Sequence, residues 1–214
     1  MRIIELKKIR GQQYRVTLEG YEPEFVTVDA ATLEQSGYRE GSFLDEQVLN
    51  ELLTLSEKNR ARSRALYYLS GRDYAAKELE RKLTRCAERE VAAEVVERLT
   101  EVGLINDREY ARRLARDLQQ YRHYPRRRIL QELYAKGIGR EEAAEAVAEL
   151  EEEDLKQALA LIRKKYYNRL TDRAARDKTA AALARYGFDY ETVRRAIQAA
   201  AESAGEENET DYGY

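Results

Sequence analysis

Glu132-Leu133-Tyr134-Ala135-Lys136-Gly137-Ile138 and Ala182-Leu183-Ala184-Arg185-Tyr186-Gly187-Phe188 follow one plan. In each, a helix end is followed by a glycine stop and then by an apolar residue that opens the next turn. The two stretches lie one unit apart in a degenerate repeat of about 46 to 50 residues, which runs three times from about Arg60 to Ala200. The first unit has Glu78-Leu79 and Leu83 at matching places, with Cys86-Ala87-Glu88 where the glycine turn would stand. A fixed period of this length decides the architecture before any single motif does.

Working outward, each unit reads as three short helices. The first unit, 60–105, holds helices over about 60–70, 74–86 and 89–101, and Gly103 closes it as a left-handed cap residue. The second, 106–152, opens at Asn106 with Glu109 three positions on, the spacing of a capping box. Its first helix reaches about Tyr121. Pro125 begins the next, where its missing N–H costs nothing, and a third helix follows from Arg140 to Leu150. The third unit, 153–201, places helices at about 154–167, 172–186 and 190–201, with Asp172 and Asp189 as caps. The expected fold is mainly α: three tandem three-helix repeats forming an elongated array, each helix about 18 Å long.

The N-terminal residues 1–44 have a different texture. Ile3-Ile4-Glu5-Leu6, Tyr14 to Leu18 and Phe25 to Val28 are short β-branched and aromatic runs, broken near Gly11, Gly20 and Pro23. They predict a small antiparallel strand extension, stable only when packed on the helix that follows. Asp29 caps a short turn of helix that ends near Gly37. Asp45 caps a connecting helix over 45–59, which either continues into Ala61 to Leu69 or breaks near Lys58-Asn59. Residues 202–214 are acidic, lack an apolar face and read as a disordered tail.

The 214 residues carry a net charge of −2 and 36% charged side chains, so overall charge does not announce a polyanion partner. The average conceals segregation. From Asp107 to Arg140 there are ten basic and four acidic residues, and from Glu141 to Asp154 eight acidic and no basic ones. Lys156 to Lys178 returns to eight basic and two acidic. Ordinary solvated helix faces are the plain explanation; basic stretches sharing one surface is the sharper one.

One cysteine rules out an internal disulfide, and one histidine argues against a His/Cys metal site. Cys86 follows Leu79 and Leu83 at helical spacing, which predicts a buried core thiol, while His123 reads as a surface residue. No nucleotide-binding glycine loop, HExxH or nucleophile elbow occurs, so no cofactor, metal or catalytic residue is assigned. No apolar run spans a membrane, and Met1-Arg2-Ile3-Ile4-Glu5 lacks signal-peptide organisation; a cytoplasmic location is expected.

The chemistry instead points to binding. Arg122, Tyr124, Arg126, Arg127 and Arg128 cluster at a helix start, where backbone N–H groups and planar guanidinium donors favour an anionic partner. Lys164, Lys165, Tyr167 and Arg169 occupy the corresponding junction of the third unit. Basic–aromatic junctions one repeat apart fit a polyanion or an acidic protein surface. The plainer alternative is that the tyrosines pack in the core and the arginines solvate the surface.

Four linked segments carry a family resemblance. Gly103-Leu104-Ile105-Asn106-Asp107-Arg108-Glu109-Tyr110-Ala111 resembles the signature of the RecX family of recombination regulators. Pro125, Ile129, Glu132, Leu133, Lys136, Gly137 and Ile138 follow at the family's spacing. Upstream, Ala65-Leu66, Leu69, Arg72, Tyr74, Glu78-Leu79 and Lys82-Leu83 are similar to its opening helices, and Lys178, Leu183 and Gly187-Phe188 to its closing repeat. Ala75 stands where the family often has a capping serine, so Asp73 is expected to cap; Asn106 replaces the commoner aspartate. The resemblance covers about 60–200. It implies a non-enzymatic, monomeric modulator that binds the RecA recombinase filament on single-stranded DNA and lies along its groove. It further implies inhibition of RecA's ATPase, strand-exchange and co-protease activities in recombination, repair and the SOS response, with single-stranded or duplex DNA contacted within or beside the filament. The alternative is a direct DNA-binding helical regulator acting without recombinase; the acidic stretch beside the candidate helix argues against a dedicated duplex binder.

Overall fold

The structure, a computed structural model, describes residues 1–166, 170 and 172–210, with side chains to residue 203. The chain divides into two compact units, Met1–Ile105 and Asn106–Tyr214.

In the first unit, β1 (Ile3–Lys8), β2 (Gln13–Leu18) and β3 (Phe25–Asp29) form an antiparallel meander in the order β1-β2-β3. The register sets Leu6 against Val16 and Val16 against Val26, so alternate apolar residues share one face. The outer edge of β1 is covered by residues 41–44, where Ile3 N–H donates to the Ser42 carbonyl at 2.9 Å and Gly41 N–H to that of Ile3 at 2.8 Å. Asp29 caps α1 (Ala30–Ser36), which stops at the left-handed Gly37.

The helix α2 (Glu46–Gly71) runs unbroken through Lys58-Asn59 and across the expected boundary at residue 60. It serves two cores. Leu49 and Leu52 pack under the sheet with Ile3, Val16, Leu18 and Val28, while Ala61 and Ala65 pack against α3 (Ala76–Leu83) and α4 (Arg89–Glu101). The polar residues at its middle bind sideways. Ser56 Oγ accepts from Asp29 N–H at 2.8 Å, Asn59 Nδ2 donates to Thr32 Oγ1 at 2.9 Å, and Lys58 pairs with Glu94 at 2.7 Å. Residues that look like a break in sequence are thus the lateral ties of one long helix.

The first repeat departs from expectation at its turn. The N-cap residue of α3 is Ala75, whose own side chain makes no cap hydrogen bond. Helix α3 ends at Leu83, three residues before Cys86, and Cys86 is exposed rather than buried. The chain turns there without glycine because the Leu83 carbonyl accepts both Cys86 N–H at 2.9 Å and Ala87 N–H at 3.0 Å.

The second unit holds α5 (Asp107–Arg122), α6 (Arg126–Lys136) and α7 (Arg140–Ala148), followed by α8 (Asp154–Lys165), α9 (Arg173–Tyr186) and α10 (Tyr190–Thr210). Helix α10 passes the expected limit at 201 and reaches Thr210. Asn106, Asp172 and Asp189 cap as predicted, accepting from Glu109, Ala175 and Thr192 N–H at 3.0, 2.8 and 2.9 Å. Gly137 and Gly187 close α6 and α9 at φ of 90° and 101°, a conformation that favours glycine. The repeat is geometric as well as textual: Leu83, Leu133 and Leu183 recur at a spacing of fifty residues in the middle helix of each unit, and each is 0% exposed. Full burial of one leucine contributes about 1.5–3 kcal/mol.

Candidate functional site

The basic–aromatic junction lies at the seam between the second and third repeats, inside the second unit. Helix α5 ends at His123, whose left-handed backbone (φ 56°) turns the chain. Tyr124 N–H then donates to the Leu118 carbonyl at 3.2 Å. The His123 imidazole does not simply face solvent. Its Nδ1 lies 3.0 Å from Gln157 Oε1 on α8, and since a carboxamide oxygen only accepts, Nδ1 carries the proton. Gln119 Nε2 donates to the Glu151 carbonyl at 3.0 Å, so the end of α5 is tied twice to the start of the third repeat.

The predicted cluster separates into two groups. Arg126, Arg128 and Tyr124 make contacts within the chain. The Arg126 guanidinium donates to the Leu150 carbonyl and pairs with Glu152 at 2.9 Å, and its backbone N–H approaches Asp154 Oδ1 at 3.4 Å. Its Nε is buried without a partner among the described residues. Burial pushes the Asp154 carboxyl up from its ordinary value, against the lowering effect of the Arg126 N–H and charge. Arg128 pairs with Glu132 at 2.7 Å and stands 5.7 Å from the centroid of Tyr124. The ring of Tyr124 packs on Tyr186 of α9 at 5.9 Å. Arg122 and Arg127, by contrast, are exposed and have no partner among the described residues.

At the second junction, Lys164 is exposed and unpaired among the described residues. Lys165 donates to the Tyr186 hydroxyl at 2.6 Å, and that hydrogen bond pushes its ammonium pKa up. Tyr167 and Arg169 lie outside the described residues. Of the predicted residues, Arg122, Arg127 and Lys164 are thus exposed without a partner among the described residues, and Tyr121 is exposed beside Arg122 in sequence. Tyr186 and the Leu150 carbonyl, which organise the seam, carry no signal of that role in the sequence beyond Tyr186 preceding the glycine turn.

Charge segregation also has a structural explanation. The acidic stretch neutralises the basic helix α5 rather than isolating a shared basic face: Arg108 pairs with Glu145 at 3.0 Å and Arg112 with Glu149 at 2.8 Å. Glu153 pairs with Lys156 at 2.6 Å, a hydrogen bond that holds its carboxyl below the ordinary value. Among the described residues no group of His, Cys, Asp or Glu is arranged to hold a metal ion, and no helix is long and apolar enough to cross a membrane.

Known proteins match this arrangement repeat by repeat. Residues 61–99 match the family model described as RecX, first three-helix domain; 106–147 match the second three-helix domain, and 151–197 the third. A protein named regulatory protein RecX from Stenotrophomonas maltophilia is 37% identical over 137 residues, covering 63% of this chain and 83% of that one. One of the same name from Clostridioides difficile is 25% identical over 198 residues, covering 91% and 93%. A crystal structure of regulatory protein RecX shares the fold with a TM-score of 0.65 at 24% identity, covering 92% of this chain and 98% of that one. A crystal structure of RecX from Lactobacillus salivarius aligns with a TM-score of 0.57 at 26% identity over 67% and 96%. With its three three-helix domains in family order and a relative above 30% identity covered over most of its length, the chain belongs to the RecX family.

Proposed function

We propose that this protein is a non-enzymatic, monomeric regulator that binds the RecA recombinase filament and inhibits its ATPase, strand-exchange and co-protease activities. The observation that carries the reading is the ordered match of all three RecX three-helix domains over 61–197, with relatives named as regulatory proteins. The seam geometry supports a binding role. Arg122, Arg127 and Lys164 leave their charges open to an acidic partner, while Arg126 and Arg128 pair with Glu152 and Glu132. Tyr167 and Arg169, outside the described residues, are proposed as further partner-binding residues of a cytoplasmic protein acting in recombination and repair.

The test is co-sedimentation with RecA filaments formed on single-stranded DNA. Replacing Arg122, Arg127 and Lys164 by glutamate is expected to weaken binding about tenfold, since each rim charge contributes roughly 0.2–1 kcal/mol. The helical circular dichroism is expected to stay unchanged. Full retention of binding would remove these residues from the interface.

A further inference from the structure

The first unit contains a second basic site that the sequence motifs do not mark. A cleft of about 650 Å³ opens between the β1–β2 turn, the start of α1 and the middle of α2. Arg10 lines it from the turn, and Arg60 and Arg64 line it from α2, one helical turn apart. None of the three has a carboxylate partner among the described residues. Some exposed arginines elsewhere are paired with a nearby carboxylate: Arg72 with Glu78, Arg98 with Glu101 and Arg194 with Glu191. The one carboxylate lining the cleft, Asp29, is 6% exposed and already spent on Thr32, accepting from its N–H and its hydroxyl. The cleft thus gathers three arginines with no carboxylate partner among the described residues around a single buried carboxylate.

Its walls are preorganised. Ala30 N–H donates to the Gln12 carbonyl at 2.9 Å and Ile9 N–H to that of Gln13 at 2.9 Å, which pins the turn carrying Arg10 against α1. Gly11 at the turn has φ of 80° and nothing within 4 Å of its Cβ position, so the backbone there is open to a ligand. Tyr67 completes the same face of α2, at positions 60, 64 and 67, and is 68% exposed. Arg64 stands 5.7 Å from the ring centroid of Tyr68, and Tyr67 is the exposed ring of the cleft. Three guanidiniums and an exposed aromatic ring lining one cleft make a set that recognises phosphodiester charge and an unstacked base together. A duplex offers its phosphates but keeps its base faces stacked, so the exposed ring favours a single strand.

We infer that this cleft binds single-stranded polynucleotide, with Arg10, Arg60 and Arg64 on the phosphates and Tyr67 stacking a base. The site is separate from the filament-binding reading and requires no recombinase. Its test is fluorescence anisotropy of labelled oligo(dT) with the full chain at low salt, recombinase absent, so failure here leaves the filament reading untouched. Combined Arg10→Ala, Arg60→Ala and Arg64→Ala substitution is expected to weaken binding at least tenfold. It is also expected to flatten the log–log salt slope by roughly two. Tyr67→Ala is expected to cost about fivefold or more with the slope unchanged, and Tyr67→Phe to restore affinity. Alanine at Arg98 and Arg194, each already paired with a carboxylate on its own helix, is expected to stay within about twofold of the parent.

Cys86 also lines the cleft and is the chain's single cysteine, so a benzophenone attached there is expected to crosslink to the oligonucleotide in the otherwise unaltered protein. Parental affinity and slope in the triple variant, or no crosslink from Cys86, would overturn the assignment. So would displacement of the strand by thymidine monophosphate or inorganic phosphate at equal phosphate concentration, which would mark a small-anion site. Equal affinity for a duplex of the same length would overturn the preference for a single strand.

Discussion

The rings of Tyr124 and Tyr186 meet at 5.9 Å with an interplanar angle of 59°, joining the second repeat to the third. Each is flanked by a cation: Arg128 stands over Tyr124 and Lys165 over Tyr186, the latter also donating to the tyrosine hydroxyl. The aromatics that make the junction look like a ligand platform in sequence face each other instead, and the cations beside them complete an internal contact.

Tyr124→Ala is therefore expected to destabilise the protein by about 1–3 kcal/mol, combining lost buried area with a tilted aromatic pair worth ~0.5–1.5 kcal/mol. Tyr124→Phe keeps the ring pair and is expected to be nearly silent. Urea unfolding of both variants checks this, with a fall in midpoint confined to the alanine variant.

Arg126 separates a hydrogen bond from an ion pair. Its partner Glu152 is 85% exposed, so that pair contributes little, whereas the Leu150 carbonyl is capped by the guanidinium. Arg126→Ala is expected to cost about 1–3 kcal/mol and Glu152→Ala less than about 0.5 kcal/mol. Equal losses in thermal unfolding would mean that charge, rather than carbonyl capping, holds the seam. Charge reversal of all three consecutive arginines thus tests folding and binding at once, which is why Arg127 is the informative member.

Gly187 and Gly103 share a left-handed backbone but differ in surroundings. A Cβ at Gly187 would lie 3.2 Å from Arg128 Cβ, while one at Gly103 would meet nothing within 4 Å. Gly103→Ala is expected to cost about 1 kcal/mol from backbone strain alone, and Gly187→Ala clearly more because the seam must shift as well. Matched denaturation curves decide it; equal midpoints would remove the steric component.

The second and third repeats were legible because their signals are local. Asn106, Asp172 and Asp189 act on N–H groups three residues away, and Gly137 and Gly187 act on their own backbone. Cys86 was misleading for a related reason: its spacing from Leu83 continues a helical stripe, but the stripe outlasts the helix. The role of Arg126 was illegible because its partners at Leu150, Glu152 and Asp154 reach it only once the inter-repeat segment folds back. Arg10, Arg60 and Arg64 form no motif, since one comes from a hairpin turn and two from a helix some fifty residues away. Local rules expose caps and turns; long-range juxtaposition has no sequence shorthand.

Regulation of the recombinase is read out by RecA's ATPase on single-stranded DNA titrated with this protein. Hydrolysis is expected to fall as protein is added, and the variant with glutamate at Arg122, Arg127 and Lys164 to need about ten times more protein for the same effect. Unchanged hydrolysis at stoichiometric excess of the parent protein would contradict it.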